Sequence, residues 1–154
     1  MPTNSVILPV EDAIVTQLGA ALAVPVFYAW PGTATPAQCV FLGQHPEVQD
    51  ILLDASGEDP VMKAGRRQRQ ETFDVTITIW AFRPDITVAN ARLAAGSAHA
   101  VFDDIDDVFR NDFDLGVAGV QSTTITRYPR RLFPFQAGWA AEIRVTVQVE
   151  ARLT

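Results

Sequence analysis

The chain has 154 residues, 48% of them apolar, and a formal net charge of −6. This length fits one domain, which we predict to span residues 1–154, and the apolar fraction is large enough for a core without disulfides. A general nucleic-acid binder carries a dominant basic face, so the acidic balance argues against that class. Cys39 is the only cysteine, which excludes an internal disulfide and favours a small buried hydrophobic role.

No targeting or membrane segment is predicted. The first ten residues hold no Lys or Arg, so the charged start of a secretory signal is missing. The longest apolar stretch, residues 18–30, is interrupted by Gly19 and Pro25 and is too short to cross a bilayer. We therefore expect a protein used in a reducing cytoplasm, or in a particle assembled there.

A first helix is predicted over residues 11–23. Pro9 precedes it, Glu11 and Asp12 occupy its first turn, where the helix dipole favours negative charge, and Pro25 ends it. Four apolar residues recur at every fourth position and form its predicted buried stripe: Val10, Ile14, Leu18 and Leu22.

Two short strands, at residues 26–30 and 39–43, are predicted to follow. Residues 44–70 then combine several Pro and Gly residues with mixed charges. A loop of this length is unusual inside a compact domain and is often functional. We interpret residues 44–70 as an extended arm, which could form a hairpin with residues 50–54 on one side.

The strongest predicted strand covers residues 71–82, where apolar and polar residues alternate strictly. A helix follows, with apolar residues in steps of three and four over about six turns. Small residues near its start favour packing on a sheet over a coiled-coil seam. The predicted buried residues of this second helix are Val88, Ala91, Ala95, Ala98, Phe102, Ile105 and Phe109.

Two further strands are predicted, a Thr-rich edge strand at residues 119–127 and an alternating strand at 141–153. In the alternating strand, Ile143 and Val145 face the core, and Glu142 and Arg144 face solvent. Residues 128–135 between these strands are predicted to be a loop with exposed aromatic residues. The order of elements indicates an α+β fold: a two-layer sandwich in which two helices pack on a mainly antiparallel sheet.

No catalytic or metal-binding pattern is found in the sequence. His45 lies in a loop and His99 beside the core stripe of the second helix, and neither has a further ligand at metal-binding spacing. The acidic residues from Asp103 to Asp107 lie within the predicted helix and lack the Gly and closing Glu of a calcium loop. We therefore expect them to form a solvated helix face. We predict a protein without catalytic residues, metal or cofactor, which is not an enzyme.

Three groups of residues instead predict contacts with partner proteins. The arm carries Arg66, Arg67 and Arg69. They could meet an acidic face of a neighbouring subunit, such as the surface from Asp103 to Asp107, or phosphates passing close by, or could only solubilise the arm. Trp80, on the polar face of the strongest strand, marks either an interface or packing under a loop. The aromatic residues of 128–135 anchor a partner or close the end of the sheet. The candidate interface residues are Arg66, Arg67, Arg69, Trp80, Asp103, Asp104, Asp107, Arg130, Arg131, Phe133 and Phe135.

The order of these elements resembles a known family. The most specific part is an Arg-rich approach to the strand that reads RQETFDVTITIW over residues 69–80, followed directly by the long helix. Together with the amphipathic first helix and the two closing strands, this layout resembles the tail terminator (tail completion) proteins of long-tailed bacteriophages with non-contractile tails. The resemblance covers nearly the whole chain, and no residue-level site carries over from it.

The resemblance implies a structural virion protein. Its subunits would form a homo-oligomeric ring, expected to be a hexamer, at the head-proximal end of the tail. The ring would cap the tail tube protein, stop its polymerisation and offer a surface to the head–neck connector protein. DNA would pass through the lumen without sequence-specific binding, and no membrane would be involved.

Two other readings stay open at this point. One is a different neck protein, such as a head–tail stopper, or a minor tail protein. The other is a small ligand-binding or enzymatic α+β domain with a pocket between the second helix and the sheet. The lack of convergent polar residues on the apolar stripes argues against this last class.

Overall fold

The computed structural model describes residues 5–32, 35–43, 55–58 and 69–153, which form two helices and seven strands. In chain order these elements are α1 (Ile7–Ala21), β1 (Val26–Phe27), β2 (Gln38–Leu42), β3 (Ala55–Glu58), β4 (Arg69–Pro84), α2 (Val88–Asn111), β5 (Val120–Arg127), β6 (Arg130–Phe135) and β7 (Gly138–Leu153).

The strands form one sheet in the order β1-β2-β4-β7-β5. At its centre, β4 and β7 pair antiparallel without interruption from Arg69 opposite Leu153 to Pro84 opposite Gly138. β3 also pairs with β4, on the same side as β2. β6 also pairs with β7, on the same side as β5. Each of the two long strands therefore has two short neighbours on its outer side. Among the strands of the described residues, only the β1–β2 pair is parallel. The predicted two-layer α+β sandwich with a mainly antiparallel sheet is confirmed.

Helix α1 begins earlier than predicted, at Ile7 and not at residue 11. Pro9 therefore lies inside the first turn, which tolerates proline because the first N–H groups of a helix have no partner within it. The carboxylate of Glu71 on β4 satisfies this helix start: its Oε1 accepts from the Val6 N–H and the Ser5 hydroxyl, each at 3.0 Å. The predicted stripe is confirmed, since Val10, Ile14, Leu18 and Leu22 are all buried.

Helix α2 carries a buried stripe that differs from the predicted one in its first half. Val88 was expected in the core but is 87% exposed, and Ala91 and Ala95 are only partly buried. Alanines occur on several faces of this helix, so their spacing alone did not identify the buried face. The residues that pack on the sheet are Ala94, Ala98, Val101, Ile105 and Phe109. Thr87 caps the helix, with its hydroxyl accepting from the Asn90 N–H at 3.1 Å.

The segment predicted as a loop at 128–135 is largely a strand. β6 covers Arg130–Phe135 and joins β7 through a two-residue turn. Gln136 and Ala137 in this turn both have positive φ, at 47° and 59°. The favoured sequences for such a turn place Asn or Gly at these positions, so the hairpin gave no sequence signal. β7 accordingly starts at Gly138, three residues before the predicted strand.

A second, smaller core lies on the sheet face opposite the helices. It is centred on Cys39, Phe41, Trp80 and Ala140, with Phe27, Trp30, Phe82, Phe133 and Phe135 packed around them. The main core lies between the helices and the other face of the sheet. Neither helix of the described residues combines the length and the apolar character needed to cross a membrane.

Candidate assembly surfaces

A groove between helix α2 and strand β6 has a volume of about 260 Å³. Small apolar residues, including Ala95, Ala98 and Ala141, line it on both sides, and its polar lining residues are His99, Arg130, Arg131 and Glu142. The guanidinium of Arg130 donates to Nε2 of His99. The sequence gave no reason to bring these two residues together, since 31 positions separate them and the first was placed in a loop.

Among the described residues, no strand pairs with the outer edge of β6. Arg144 N–H donates to the carbonyl of Pro129, next to the register pair Arg130–Ile143. Backbone direction alternates along an antiparallel strand, so the N–H groups of Arg130 and Leu132 point away from β7. The third outward position is Pro134, which has no N–H to offer. The edge is therefore open over a short length and closed by proline at its end.

Three arginines lie exposed along this side of the sheet: Arg127 at the end of β5, and Arg130 and Arg131 on β6. We call these three residues the basic edge. Among the described residues, no carboxylate lies within ion-pair distance of Arg127 or Arg130. The Arg131 guanidinium lies over the ring of Phe133, 5.2 Å from its centroid. Leu132, which follows the two arginines of β6, is 46% exposed.

A carboxylate lies buried behind the basic edge. Glu142 on β7 was predicted to face solvent, but it is only 1% exposed, because Trp80 and Arg131 stand opposite it on the two neighbouring strands. Its Oε1 lies 3.1 Å from Nε of Arg144. Burial raises the pKa of Glu142, and the charges of Arg144 and Arg131 lower it in part. Strand alternation alone could not reveal this site, since it depends on β6 being a strand.

The aromatic residues predicted as partner anchors pack together within the chain. Trp80 is 2% exposed, and its ring meets those of Phe135 at 5.1 Å and Phe133 at 5.9 Å, edge to face in both cases. Of the two predicted alternatives for Trp80, an interface or packing under a loop, the structure shows Trp80 packed beneath residues 128–135. Phe133 and Phe135 of β6 likewise pack against the second core of the same chain. A further role for them at an interface stays a prediction.

The acidic residues of α2 face outward as predicted. Asp103, Asp104 and Asp107 are exposed, whereas Asp106 pairs with Arg110 at 2.9 Å. Asp103 stands near Arg130 in an open groove on the β6 side of the helix. The other two exposed aspartates line a wide trough of about 570 Å³ between α1 and α2.

We call this trough the acidic trough. Asp104, Asp107 and Asp112 supply its charge, and Ala20, Ala21 and Val108 its apolar floor. Among the described residues, no cationic side chain lies within ion-pair distance of its three aspartates. The acidic trough therefore combines small apolar side chains with negatively charged ones.

The arm itself lies mostly outside the described residues. Arg66, Arg67 and His45 fall there, and so does the possible hairpin side at residues 50–54. Arg69 is the first residue of β4 and pairs with Leu153, and its side chain is likewise outside the description. β3 lies within the predicted arm and pairs antiparallel with β4, from Ala55 opposite Val75 onward. The roles assigned to the three arginines stay predictions.

The described residues show no arrangement that indicates catalysis. No group of three or more His, Cys, Asp or Glu side chains among them could hold a metal ion. Cys39 is buried as expected, and burial raises the pKa of its thiol to about 12, which keeps it protonated and unreactive at neutral pH.

No family model matches this chain, and no curated protein sequence matches it. Its fold is similar to that of a chain in a solved structure of the virion of a native gene transfer agent particle. The two folds superpose with a TM-score of 0.59 at 15% sequence identity, and the alignment covers 92% of this chain and 93% of that chain. The correspondence therefore extends over nearly the whole length of both chains.

Proposed function

We propose that this chain is a structural protein of a phage-like virion, and that it is a tail terminator. Its copies form a ring, most simply a hexamer, on the head-proximal end of the tail tube. The ring stops tube polymerisation and offers its free face to the head–neck connector. DNA passes through the lumen without sequence-specific contact. The protein acts by assembling and not by catalysing a reaction.

The observation that carries this proposal is the end-to-end likeness to a chain of the gene transfer agent virion. A domain recruited into an unrelated protein would match only part of one chain, whereas here both chains are covered almost completely. The order of elements adds the tail terminator assignment within the virion, because it resembles that family. The basic edge and the acidic trough, on different sides of the fold, suit a subunit that touches two neighbours.

The same likeness would fit a head–tail stopper or a minor tail protein, so the test has to locate the protein on the tail. Purified protein is imaged by negative stain alone and after mixing with tail tubes of the virion in which it occurs. A terminator forms rings that bind one end of each tube and stop its elongation. Binding along the whole tube, or at the end remote from the head, would contradict the terminator role.

A ligand-binding domain is the contrasting class, and the groove between α2 and β6 is where its ligand would lie. Four polar side chains line this groove, His99, Arg130, Arg131 and Glu142, and the first two are bonded to each other. Its remaining surface is largely alanine and other apolar side chains. A monomer that binds a small molecule in this groove and ignores tail tubes would overturn the proposed function.

A further inference from the structure

We propose that the basic edge of one copy docks into the acidic trough of a second copy, and that this contact joins neighbouring subunits. The inference rests on the proposed ring and deepens it, since it identifies the two surfaces that meet. The edge is formed by Arg127, Arg130 and Arg131, with Leu132 beside them. The trough lies between α1 and α2.

Charge complementarity is the first argument. Each copy carries a net charge of −6, so two copies repel each other at long range. A stable contact between copies must then bring unlike charges together locally. The basic edge groups three positive charges on an acidic protein, with the side chains of Arg130 and Arg131 on opposite faces of β6. The trough presents Asp104 and Asp107 without a cation from the described residues. Arginine and carboxylate groups can pair through two parallel hydrogen bonds, which also fixes their geometry.

The shape of the trough suits arginine side chains. An arginine has a long apolar stem, which prefers apolar surface while the charged group stays hydrated or paired. Ala20, Ala21 and Val108 offer such apolar surface, and the aspartates line the same trough. The exposed Leu132 would add apolar contact beside Arg130, with which it shares one face of β6.

The position of the aspartates on α2 gives a separate argument. Asp107 lies near the carboxyl end of the helix, and Asp112 caps that end. Negative charge there opposes the helix dipole. Arg110, the one basic residue of the last turn, is paired with Asp106 and lies 2.9 Å from it. A local arrangement that works against stability is typical of a functional surface.

The structure also argues against the simplest alternative, in which two β6 edges pair with each other. That contact would set the arginines of one copy against those of the other, and Pro134 lacks an N–H at one outward position. The edge and the trough are different surfaces, so a contact between them is head-to-tail. Such contacts repeat from copy to copy and close into a ring when the rotation allows.

Charge reversal tests this contact with the intact chain. One variant reverses the edge (Arg127→Glu with Arg130→Glu), and a second reverses the trough (Asp104→Arg with Asp107→Arg). Each alone should associate about 100-fold more weakly than the natural chain, because like charges then face each other. An equal mixture should assemble again, since each variant retains the surface that the other one needs. Arg152→Glu, an exposed reversal at the far end of β7, is the matched control and should assemble normally.

Native mass spectrometry and sedimentation give the oligomeric state, and circular dichroism confirms that each variant is folded. Assembly that is unchanged in both variants, or not restored in the mixture, overturns the inference and leaves the ring itself standing. A natural chain that stays monomeric up to millimolar concentration, yet still caps tail tubes, also overturns it. Failure to bind tube ends would instead count against the proposed function.

Discussion

Arg130 on the edge strand β6 donates to Nε2 of His99 on helix α2. A guanidinium has only donors, so Nε2 of His99 is the acceptor in this hydrogen bond. The contact links the helix layer to this edge strand of the sheet, and both residues line the groove. It also fixes the direction of one of the three arginines of the basic edge.

We expect a coupling between these two side chains that a double-mutant cycle can measure. His99→Ala and Arg130→Ala, alone and combined, should give a coupling free energy of about 0.5 kcal/mol, at the low end for a hydrogen bond because the pair is partly solvated. Urea unfolding of the four proteins supplies the values. The same cycle between His99 and Arg127 is the control. Strictly additive effects in the first cycle would show that the contact does not persist in solution.

Glu142→Gln should make the protein more stable than the natural chain, and this difference should grow as the pH rises. Burial raises the pKa of Glu142 in the folded state, so the folded protein holds its proton more tightly than the unfolded chain does. The stability from the protonated form is complete below the ordinary Glu pKa of about 4.3 and is lost as the pH rises through the folded pKa. The neutral glutamine removes this loss.

The two proteins should therefore be similarly stable in acid, and the Gln variant more stable at mildly alkaline pH. Thermal unfolding across this range measures the difference, with Glu150→Gln on the same strand as a control that should change the pH profile less. A Glu142→Gln protein that is less stable at alkaline pH would show that the ionised carboxylate and Arg144 stabilise the fold together.

Ala137→Gly should stabilise the β6–β7 hairpin. Ala137 has a φ of 59°, a conformation that disfavours residues with a Cβ and costs them about 1 kcal/mol relative to glycine. We expect the free energy of unfolding to rise by about that amount, measured by urea denaturation. Ala141→Gly on β7, where the backbone is extended, should destabilise the protein. A loss of stability in both variants would exclude strain at this turn.

Tyr28→Phe should destabilise the attachment of the segment after β1 to helix α1. The Tyr28 hydroxyl donates to Glu11 Oε1 at 2.9 Å, and Glu11 is only 4% exposed. Removing the hydroxyl leaves a buried carboxylate without this donor, at a cost of about 1–3 kcal/mol. Tyr128→Phe, where the side chain is exposed, serves as the control. Equal effects of the two substitutions would contradict a specific role for the Glu11 contact.

The elements with strict periodicity could be predicted from the sequence. The alternation around Phe73 and Val75 defined β4, and the stripe from Val10 to Leu22 defined the buried face of α1. Both depend on burial against one neighbouring layer, so the pattern within one segment was sufficient. Their ends were less predictable, since Ile7 begins α1 with help from Glu71, a residue of another element.

The candidate surfaces were predictable only in part. The exposed aspartates of α2 follow from the helical period, and the arginines of β6 were recognised as a cluster. The burial of Glu142 and Trp80 was not predictable, because it requires that residues 130–135 be a strand. The turn that pairs residues 130–135 with β7 places Gln136 and Ala137 in a conformation that sequence preferences do not suggest.

The uninterrupted pairing of β4 with β7 has a mechanical consequence. Sixteen residues on each strand form a ribbon about 54 Å long, at roughly 3.4 Å per residue. Tension along the ribbon would load its interstrand hydrogen bonds together, in shear, whereas a pull across it would open them one at a time. The chain is therefore stiffest along the line that joins Arg69 and Leu153 at one end of the sheet to Pro84 and Gly138 at the other.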